Sequence, residues 1–239
     1  MPGGLAMATT MTSPRANDVR ELVVLLHGVA MPPLVMQRIA TSLRTAGYRV
    51  VNLGYPSRSR PLEEIARDFL SAQLRAHRAD SAARLHFVTH SMGSLVLRLY
   101  LHHHRPANLG RVVMLGPPNH GSTAADRAAQ HGVFRRIAGV NLPRLGTGED
   151  GVARTLGPAD FELGIIAGSS TINPLFTRWL TGPHDGAVTV ESAKLAGMHD
   201  FIVVPHSHTV MLWRAAVIAQ VRVFLRDGKF TRATPPDEV

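Results

Sequence analysis

Six short runs rich in valine, leucine and isoleucine are spread along this chain, and longer stretches with helical periodicity separate them. The nearly continuous apolar content of these runs is typical of strands that are buried on both faces. Strands that alternate with helices predict an α/β fold, a mostly parallel, doubly wound sheet of about six strands flanked by helices. The predicted strands span about Glu21–Leu26, Tyr48–Leu53, Arg84–Thr89, Arg111–Leu115, Leu163–Ala167 and Phe201–Val204.

Four helices are predicted between and after these strands. The first ends before Gly47, a natural C-terminal stop, and the second opens at Pro61, which suits the first turn of a helix. The third starts at the end of the third strand and runs to about His104, and the last runs from about Thr209 to Arg226. Helices in these positions cross over from one parallel strand to the next.

The 239 residues, of which 45% are hydrophobic, are enough for one large core, so we expect one domain over residues 19–230. Residues 1–18 lack both a basic start and a continuous apolar core, which predicts a disordered leader rather than a signal peptide. Residues 231–239 are expected to form a flexible tail. The glycine- and proline-rich residues 117–160 interrupt the pattern and predict an insertion between strands, either a lid or a surface excursion.

The composition excludes several kinds of function. With no cysteine, the chain forms no disulfide, no thiolate zinc site and no cysteine nucleophile. The net charge of +9 is spread along the chain, which favours peripheral contact with anionic surfaces over sequence-specific nucleic-acid binding. No apolar run approaches the roughly 20 residues that a membrane span needs, so we expect a cytoplasmic protein. The oligomeric state does not follow from the sequence.

The segment LHFVTHSMGS, residues 85–94, joins an apolar strand to a helix through Ser91. This arrangement predicts a nucleophile elbow, in which the serine oxygen stands clear of the sheet and close to a helix N-terminus. The usual elbow pattern is G-x-S-x-G, and here Thr89 replaces the first glycine while Gly93 keeps the second. An ordinary strand-to-helix turn with a capping serine is the alternative interpretation.

A serine becomes a good nucleophile when a histidine accepts its proton and a carboxylate orients that histidine. The segment GPHDGAVTVES offers Asp185 in a loop with several turn residues, whereas Asp200 is a weaker candidate because it starts a strand. The segment VVPHSHTVMLW offers His206 and His208, and we favour His208 because it adjoins the last helix. A simple helix-capping role for His208 remains the alternative.

Two backbone N–H groups that point at one spot stabilise the oxyanion of such a reaction. The amide of Met92, directly after the serine, is one candidate. The amide of Val29 is the other, because Gly28 allows the loop after the first strand to turn towards the serine.

Taken together, L-H-G after the first strand, T-H-S-M-G after the third, D-G late in the chain and H-T before the last helix resemble an α/β-hydrolase of the lipase and esterase type. The resemblance covers about Val19–Phe230 and is strongest to small bacterial members. It implies Ser91 as nucleophile, Asp185 as acid and His208 as base. It further implies the amides of Val29 and Met92 as oxyanion donors, and candidate substrate contacts at His27, Gly28, His90 and Asn119.

These patterns predict an enzyme that cleaves small carboxylic esters through an acyl-enzyme, with no metal and no organic cofactor. Short to medium acyl chains are expected, because Arg135, Arg136 and Arg144 make the insertion polar. A thioesterase, amidase or acyltransferase with the same three residues remains open, and so does an inactive protein that docks on an acidic or membrane partner. The apolar residues expected to line the acyl pocket are Val133, Phe134, Ile137, Val140 and Leu142.

Overall fold

A computed structural model describes residues 20–171 and 178–232 of the chain. The predicted leader lies outside these residues, and so does the predicted tail except for its first two positions. The described residues contain no helix that is both long enough and apolar enough to cross a membrane.

Within residues 20–171 and 178–232, six parallel strands form one sheet in the order β2-β1-β3-β4-β5-β6. The predicted fold class is therefore confirmed, and all six predicted strands are present with bounds that differ by at most two residues. Because every pair is parallel, the carboxyl ends of the strands share one edge of the sheet. The strands are β1 Leu22–Leu26, β2 Arg49–Leu53, β3 Leu85–His90, β4 Leu109–Leu115, β5 Leu163–Gly168 and β6 Asp200–Val204.

The helices lie where the periodicity predicts them, with two local differences. The second predicted helix is interrupted by the π-helical stretch Ile65–Leu70, and the last divides at Arg214 into the 3-10 turn Val210–Trp213 and an α-helix. A 3-10 turn, Pro33–Met36, precedes the first helix. The α-helices of the described residues are α1 Gln37–Thr45, α2 Leu62–Glu64, α3 Ser71–Ala76, α4 Met92–His103, α5 Thr123–Ala129, α6 Gly132–Ala138, α7 Val190–Ala193 and α8 Ala215–Asp227.

Two apolar layers cover the two faces of the sheet. Alternate residues of β1 belong to different layers, as strand geometry requires: Leu22 and Val24 pack on one side, and Val23 and Leu25 on the other. Helix α4 and the insertion cover the first face, whereas α1 and α8 cover the second. Burial on both faces explains why the strands have no polar alternation in their sequence.

The insertion after β4 contains α5, α6 and three 3-10 turns, and its side chains attach it to the rest of the fold. Asn141 is completely buried; its Oδ1 accepts from the Leu62 amide at 2.9 Å, and its Nδ2 donates to the carbonyls of Ser57 and Arg60 at 2.9 and 2.7 Å. Arg144 forms an ion pair with Glu63. These contacts fix the insertion over the carboxyl edge of the sheet.

Candidate active site

Ser91 occupies the sharp turn between β3 and α4. Its backbone has φ 52° and ψ −123°, a conformation that L-residues rarely adopt, and it is one of three non-glycine residues with positive φ in the described chain. The Ser91 amide donates to the Leu115 carbonyl of β4 at 3.0 Å, and the Ser94 amide donates to the Ser91 carbonyl at 2.9 Å. The strained turn is thus held from both sides and has the geometry that the sequence predicts.

Gly93 is required where α4 approaches β1. A Cβ at this position would lie 2.6 Å from the Leu26 carbonyl oxygen and 2.8 Å from that of His27, too close for any side chain. Thr89, by contrast, fits in place of the usual first glycine because it is a completely buried strand residue whose Oγ1 lies 2.8 Å from Ser94 Oγ. The hydroxyl pair connects β3 to the first turn of α4, so the larger residue adds a contact across the elbow.

Asp185 and His208 form a hydrogen-bonded pair between the loops after β5 and β6. Asp185 Oδ2 lies 2.7 Å from His208 Nδ1, and the carboxylate side chain is 1% exposed. Asp185 Oδ1 accepts from the amides of Ala187 and Val188 at 2.9 and 2.8 Å. The His208 amide donates to the Asp185 carbonyl at 2.9 Å. Since the carboxylate accepts the Nδ1 proton, His208 presents Nε2 as its free basic atom.

The other acid and base candidates lie elsewhere. Asp200 stands at the amino end of β6, where it pairs with Arg232 and accepts from the Phe230 amide at 2.7 Å. His206 donates its amide to the Val204 carbonyl at 2.8 Å and does not line the cavity that contains Ser91. The structure therefore brings Asp185 together with His208 rather than with His206.

Gly116, directly after β4, lies against the Asp185–His208 pair, a contact that sequence reasoning missed. It has φ +53°, and a Cβ there would lie 3.0 Å from both Asp185 Oδ2 and His208 Nδ1. A glycine at the end of a predicted strand is the signal in the sequence, although only the fold shows which groups it faces.

His90 lies behind the pair and contacts the loop that carries His208. His90 Nε2 is 3.0 Å from the His208 carbonyl, and the two rings have their centroids 4.6 Å apart. Because a carbonyl only accepts, Nε2 of His90 must carry the proton. Its Nδ1 is buried without a hydrogen-bond partner in the described chain. Burial, and secondarily the nearby His208, hold the pKa of His90 well below the ordinary value of 6.5.

The loop after β1 passes next to Ser91. A Cβ on Gly28 would lie 3.2 Å from Ser91 Cβ, so only glycine allows this approach comfortably. The Ala30 amide donates to Ser57 Oγ at 3.1 Å, and Tyr55 donates its hydroxyl to the His27 carbonyl. In the described residues, the Val29 amide donates no hydrogen bond, and the Met92 amide donates none to a group outside α4.

Three of the four predicted substrate contacts have internal partners instead: His90, which bonds the His208 carbonyl and does not line the cavity, and also His27 and Asn119. The His27 ring stacks on Tyr55 with centroids 4.2 Å apart, and its Nδ1 lies 2.8 Å from the Gly28 carbonyl. Burial lowers the pKa of His27, which favours the neutral ring. Asn119 accepts from Arg98 and donates to the Ala193 carbonyl at 2.9 Å. Neither His27 nor Asn119 lines the cavity, because each is used to hold a loop beside it.

A cavity of about 470 Å³ lies in front of Ser91. Ser91, Asp185 and His208 line it together with Gly28 and Val29 of the β1 loop. Its remaining wall is mostly apolar. The loop that carries Asp185 contributes Val188, and the insertion contributes Ala124, Ala125, Ala128, Leu142 and Leu145.

The expected acyl-pocket residues are largely wrong: only Leu142 of the five lines the cavity. Val133 and Ile137 of α6 are 62% and 54% exposed, and Val140 in the 3-10 turn that follows is 53% exposed, so all three face solvent. Helical periodicity does identify an apolar face, but it does not say whether that face meets a cavity or the solvent.

Among the described residues, no hydrogen bond joins Ser91 Oγ to His208; the two side chains share the cavity wall. In enzymes without bound substrate, such catalytic contacts are often long and tighten only when substrate arrives. The arrangement thus combines a serine on a strained turn and a carboxylate-oriented imidazole at the wall of one largely apolar cavity.

No protein-family model matches this sequence, and no curated protein matches it at the level of sequence. Solved structures do resemble its fold. The lipase BlEst2 of Bacillus licheniformis in its mature form is 21% identical, with a TM-score of 0.67 over 87% of this chain and 91% of that one. The esterase RhEst1 of Rhodococcus sp. ECU1013 is 17% identical, with a TM-score of 0.59 over 88% and 92%.

A third similar structure is the esterase Pf2001 of Pyrococcus furiosus, which is 16% identical, with a TM-score of 0.58 over 88% of this chain and 84% of that one. Identities this low establish the fold and not the reaction. The order of the parallel strands, the elbow after β3 and these structural matches together show that the chain has the α/β-hydrolase fold.

Proposed function

We propose that this protein is a serine hydrolase that cleaves carboxylic esters through an acyl-enzyme. The observation that carries the proposal is the shared cavity wall of Ser91, Asp185 and His208, in which the last two are joined at 2.7 Å. An imidazole held by a buried carboxylate is the group that a serine needs to lose its proton at neutral pH. The lipase and esterase names of the similar structures agree with this reaction.

In the proposed reaction, His208 Nε2 accepts the Ser91 proton as the serine oxygen attacks the ester carbonyl. Asp185 keeps the imidazole oriented and stabilises the imidazolium that forms. The amides of Val29 and Met92 donate to the carbonyl oxygen as it becomes negative, and a preformed donor pair of this kind lowers the barrier substantially. His208 then protonates the departing alcohol, and a water molecule activated by the same histidine releases the acid.

The cavity supports short to medium acyl chains as the preferred substrates. Its volume of about 470 Å³ falls in the range of about 300–1,000 Å³ that is typical of small-molecule sites. Its apolar wall of alanine and leucine suits an acyl chain. Asn141 and Arg144 attach the insertion that supplies this wall, so we propose that it serves as a fixed wall rather than as a lid.

A panel of p-nitrophenyl esters tests the proposal. Ser91→Ala and His208→Ala are each expected to lower kcat by about four to six orders of magnitude, because the three residues act as a unit. His206→Ala is the matched control and should keep nearly full activity, since His206 does not line the cavity. A Ser91→Ala protein that hydrolyses the esters at the wild-type rate would refute the proposal.

The same panel separates the remaining alternatives. Butyrate and octanoate esters are expected to turn over faster than palmitate, and a faster palmitate reaction contradicts the proposed chain length. Labelling of Ser91 by a fluorophosphonate probe, absent in Ser91→Ala, excludes an inactive docking protein. Thioester and anilide substrates with the same acyl group then show whether oxygen esters are preferred.

A further inference from the structure

The outer surface of the insertion exposes an unusual group of apolar side chains. Val133, Ile137 and Val140 are 62%, 54% and 53% exposed, and they are half of the six large hydrophobic residues exposed in the described chain. The spacing of four residues puts Val133 and Ile137 on the same side of α6, with Arg136 also on the solvent side. We call Val133, Arg135, Arg136, Ile137 and Val140 the α6 surface.

The α6 surface contains two arginines and no carboxylate. Between Arg127 and Gly148 the sequence contains four arginines and no aspartate or glutamate. Arg144 is paired with Glu63, whereas Arg135 and Arg136 form no ion pair with any carboxylate of the described residues. Some exposed arginines elsewhere, such as Arg67 and Arg226, are paired with the carboxylate next to them in the chain. Apolar side chains and unpaired cations therefore occur together here.

Part of this surface lies close to the cavity that contains Ser91. Helix α6 connects two stretches of chain that line the cavity, one ending near Ala128 and the other beginning at Leu142. Arg136 lines a groove of about 560 Å³ that also includes Met31, and Met31 lines the cavity as well. The groove and the cavity are thus neighbours that share Met31 as a lining residue.

We infer that the α6 surface docks on an anionic phospholipid surface. Exposed apolar side chains on a short helix enter the boundary between headgroups and acyl chains, while arginines bind phosphate oxygens. The net charge of +9 adds a general attraction to such a surface. Docking here would place the cavity mouth next to lipid or to esters dissolved in it. Binding of this kind does not depend on the proposed hydrolysis.

Vesicle sedimentation tests this inference, with full-length Ser91→Ala protein so that no lipid is consumed. The protein is expected to bind vesicles that contain phosphatidylglycerol much more strongly than vesicles of phosphatidylcholine alone, and to detach as salt is added. Arg135→Ser/Arg136→Ser should weaken binding by about 25-fold, since each arginine near an anionic surface contributes about five-fold. Val133→Ser/Ile137→Ser/Val140→Ser should weaken it by at least about ten-fold.

The matched control is Arg75→Ser/Arg222→Ser, which removes the same charge from exposed helix positions outside the α6 surface. Screening should limit its effect to about three-fold. Equal binding to both kinds of vesicle, or α6 variants that bind no worse than this control, would overturn the inference. A concentration-dependent dimer that the triple serine variant abolishes, without vesicle binding by the parent protein, would instead assign the surface to a second copy of the chain.

Discussion

Replacing Asn141 by alanine is expected to destabilise the protein and to loosen the cavity wall together. The Asn141 side chain is completely buried and makes three hydrogen bonds to backbone groups of residues 57–62. One of these groups is the amide of Leu62, the first residue of α2, whose N-cap residue Pro61 supplies no side-chain bond. Asn141 therefore caps α2 from the insertion, which is a role that local sequence does not predict.

The magnitude follows from the three bonds. A hydrogen bond contributes about 1 kcal/mol net, and a buried group left without a partner costs about 1–3 kcal/mol. The alanine variant loses the partners of one amide and two carbonyls, so we expect a loss of about 3–5 kcal/mol in the free energy of unfolding. Because the free energy of unfolding of a whole domain is only about 5–15 kcal/mol, the variant should remain folded but with low residual stability.

Urea denaturation measures the loss, and ester kinetics measure its effect on the cavity. Leu142, next to Asn141, lines the cavity, so KM for octanoate esters should rise several-fold while acetate esters change little. Asn108→Ala is the matched control: it removes two 2.8 Å bonds to the carbonyls of Ala79 and Ala82 at the opposite edge of the sheet. A loss below about 1 kcal/mol for Asn141→Ala, or an equal KM change in Asn108→Ala, would refute the reasoning.

Three further predictions concern the elbow and the groups behind it. Gly93→Ala should prevent folding or lower the free energy of unfolding by about 3 kcal/mol or more, because its Cβ would lie 2.6 Å from the Leu26 carbonyl oxygen. Thermal melts measure the loss, and a variant with the wild-type Tm would contradict the close packing at Gly93. Thr89→Val should lower the free energy of unfolding by about 1–2 kcal/mol in urea titrations, because it leaves the Ser94 hydroxyl unpaired. The double variant Thr89→Val/Ser94→Ala should recover part of this loss. If it recovers none, the hydroxyl pair is not the cause. The free energy of unfolding should fall as the pH drops below 6.5, because His90 is then protonated in the unfolded chain, whereas burial keeps its pKa lower in the folded protein. The expected slope is up to about 1.4 kcal/mol per pH unit. If His90→Gln shows the same slope, His90 is not its origin.

The strands and the elbow could be predicted from the sequence because their signals are local. Apolar runs identified β1 to β6 to within two residues, and Gly93 marked the point where a side chain does not fit. The break of the last helix at Arg214 was not predicted, since the apolar periodicity continues through it. Hydrophobic spacing shows which residues face a core but gives little information on where a helix is interrupted.

The acyl pocket shows the limit of this reasoning. Val133, Ile137 and Val140 have the composition of a pocket wall, yet they face solvent, while Leu145 and the alanines of α5 line the cavity. The side of an irregular insertion that faces the sheet depends on contacts such as Asn141 to Leu62, which join residues far apart in the chain. Such contacts leave no periodic trace in the sequence.

By itself, the sequence determined the α/β class, the positions of the strands and the serine at the turn after β3, because strand burial and turn geometry depend on neighbouring residues. Tertiary structure decided that His208 rather than His206 meets Asp185, and that Thr89 pairs with Ser94 across the elbow. It also decided that His27 and Asn119 support loops instead of lining the cavity. These outcomes depend on which loops meet at the carboxyl edge of the sheet. The loops are far apart in the sequence and come together only in the folded chain.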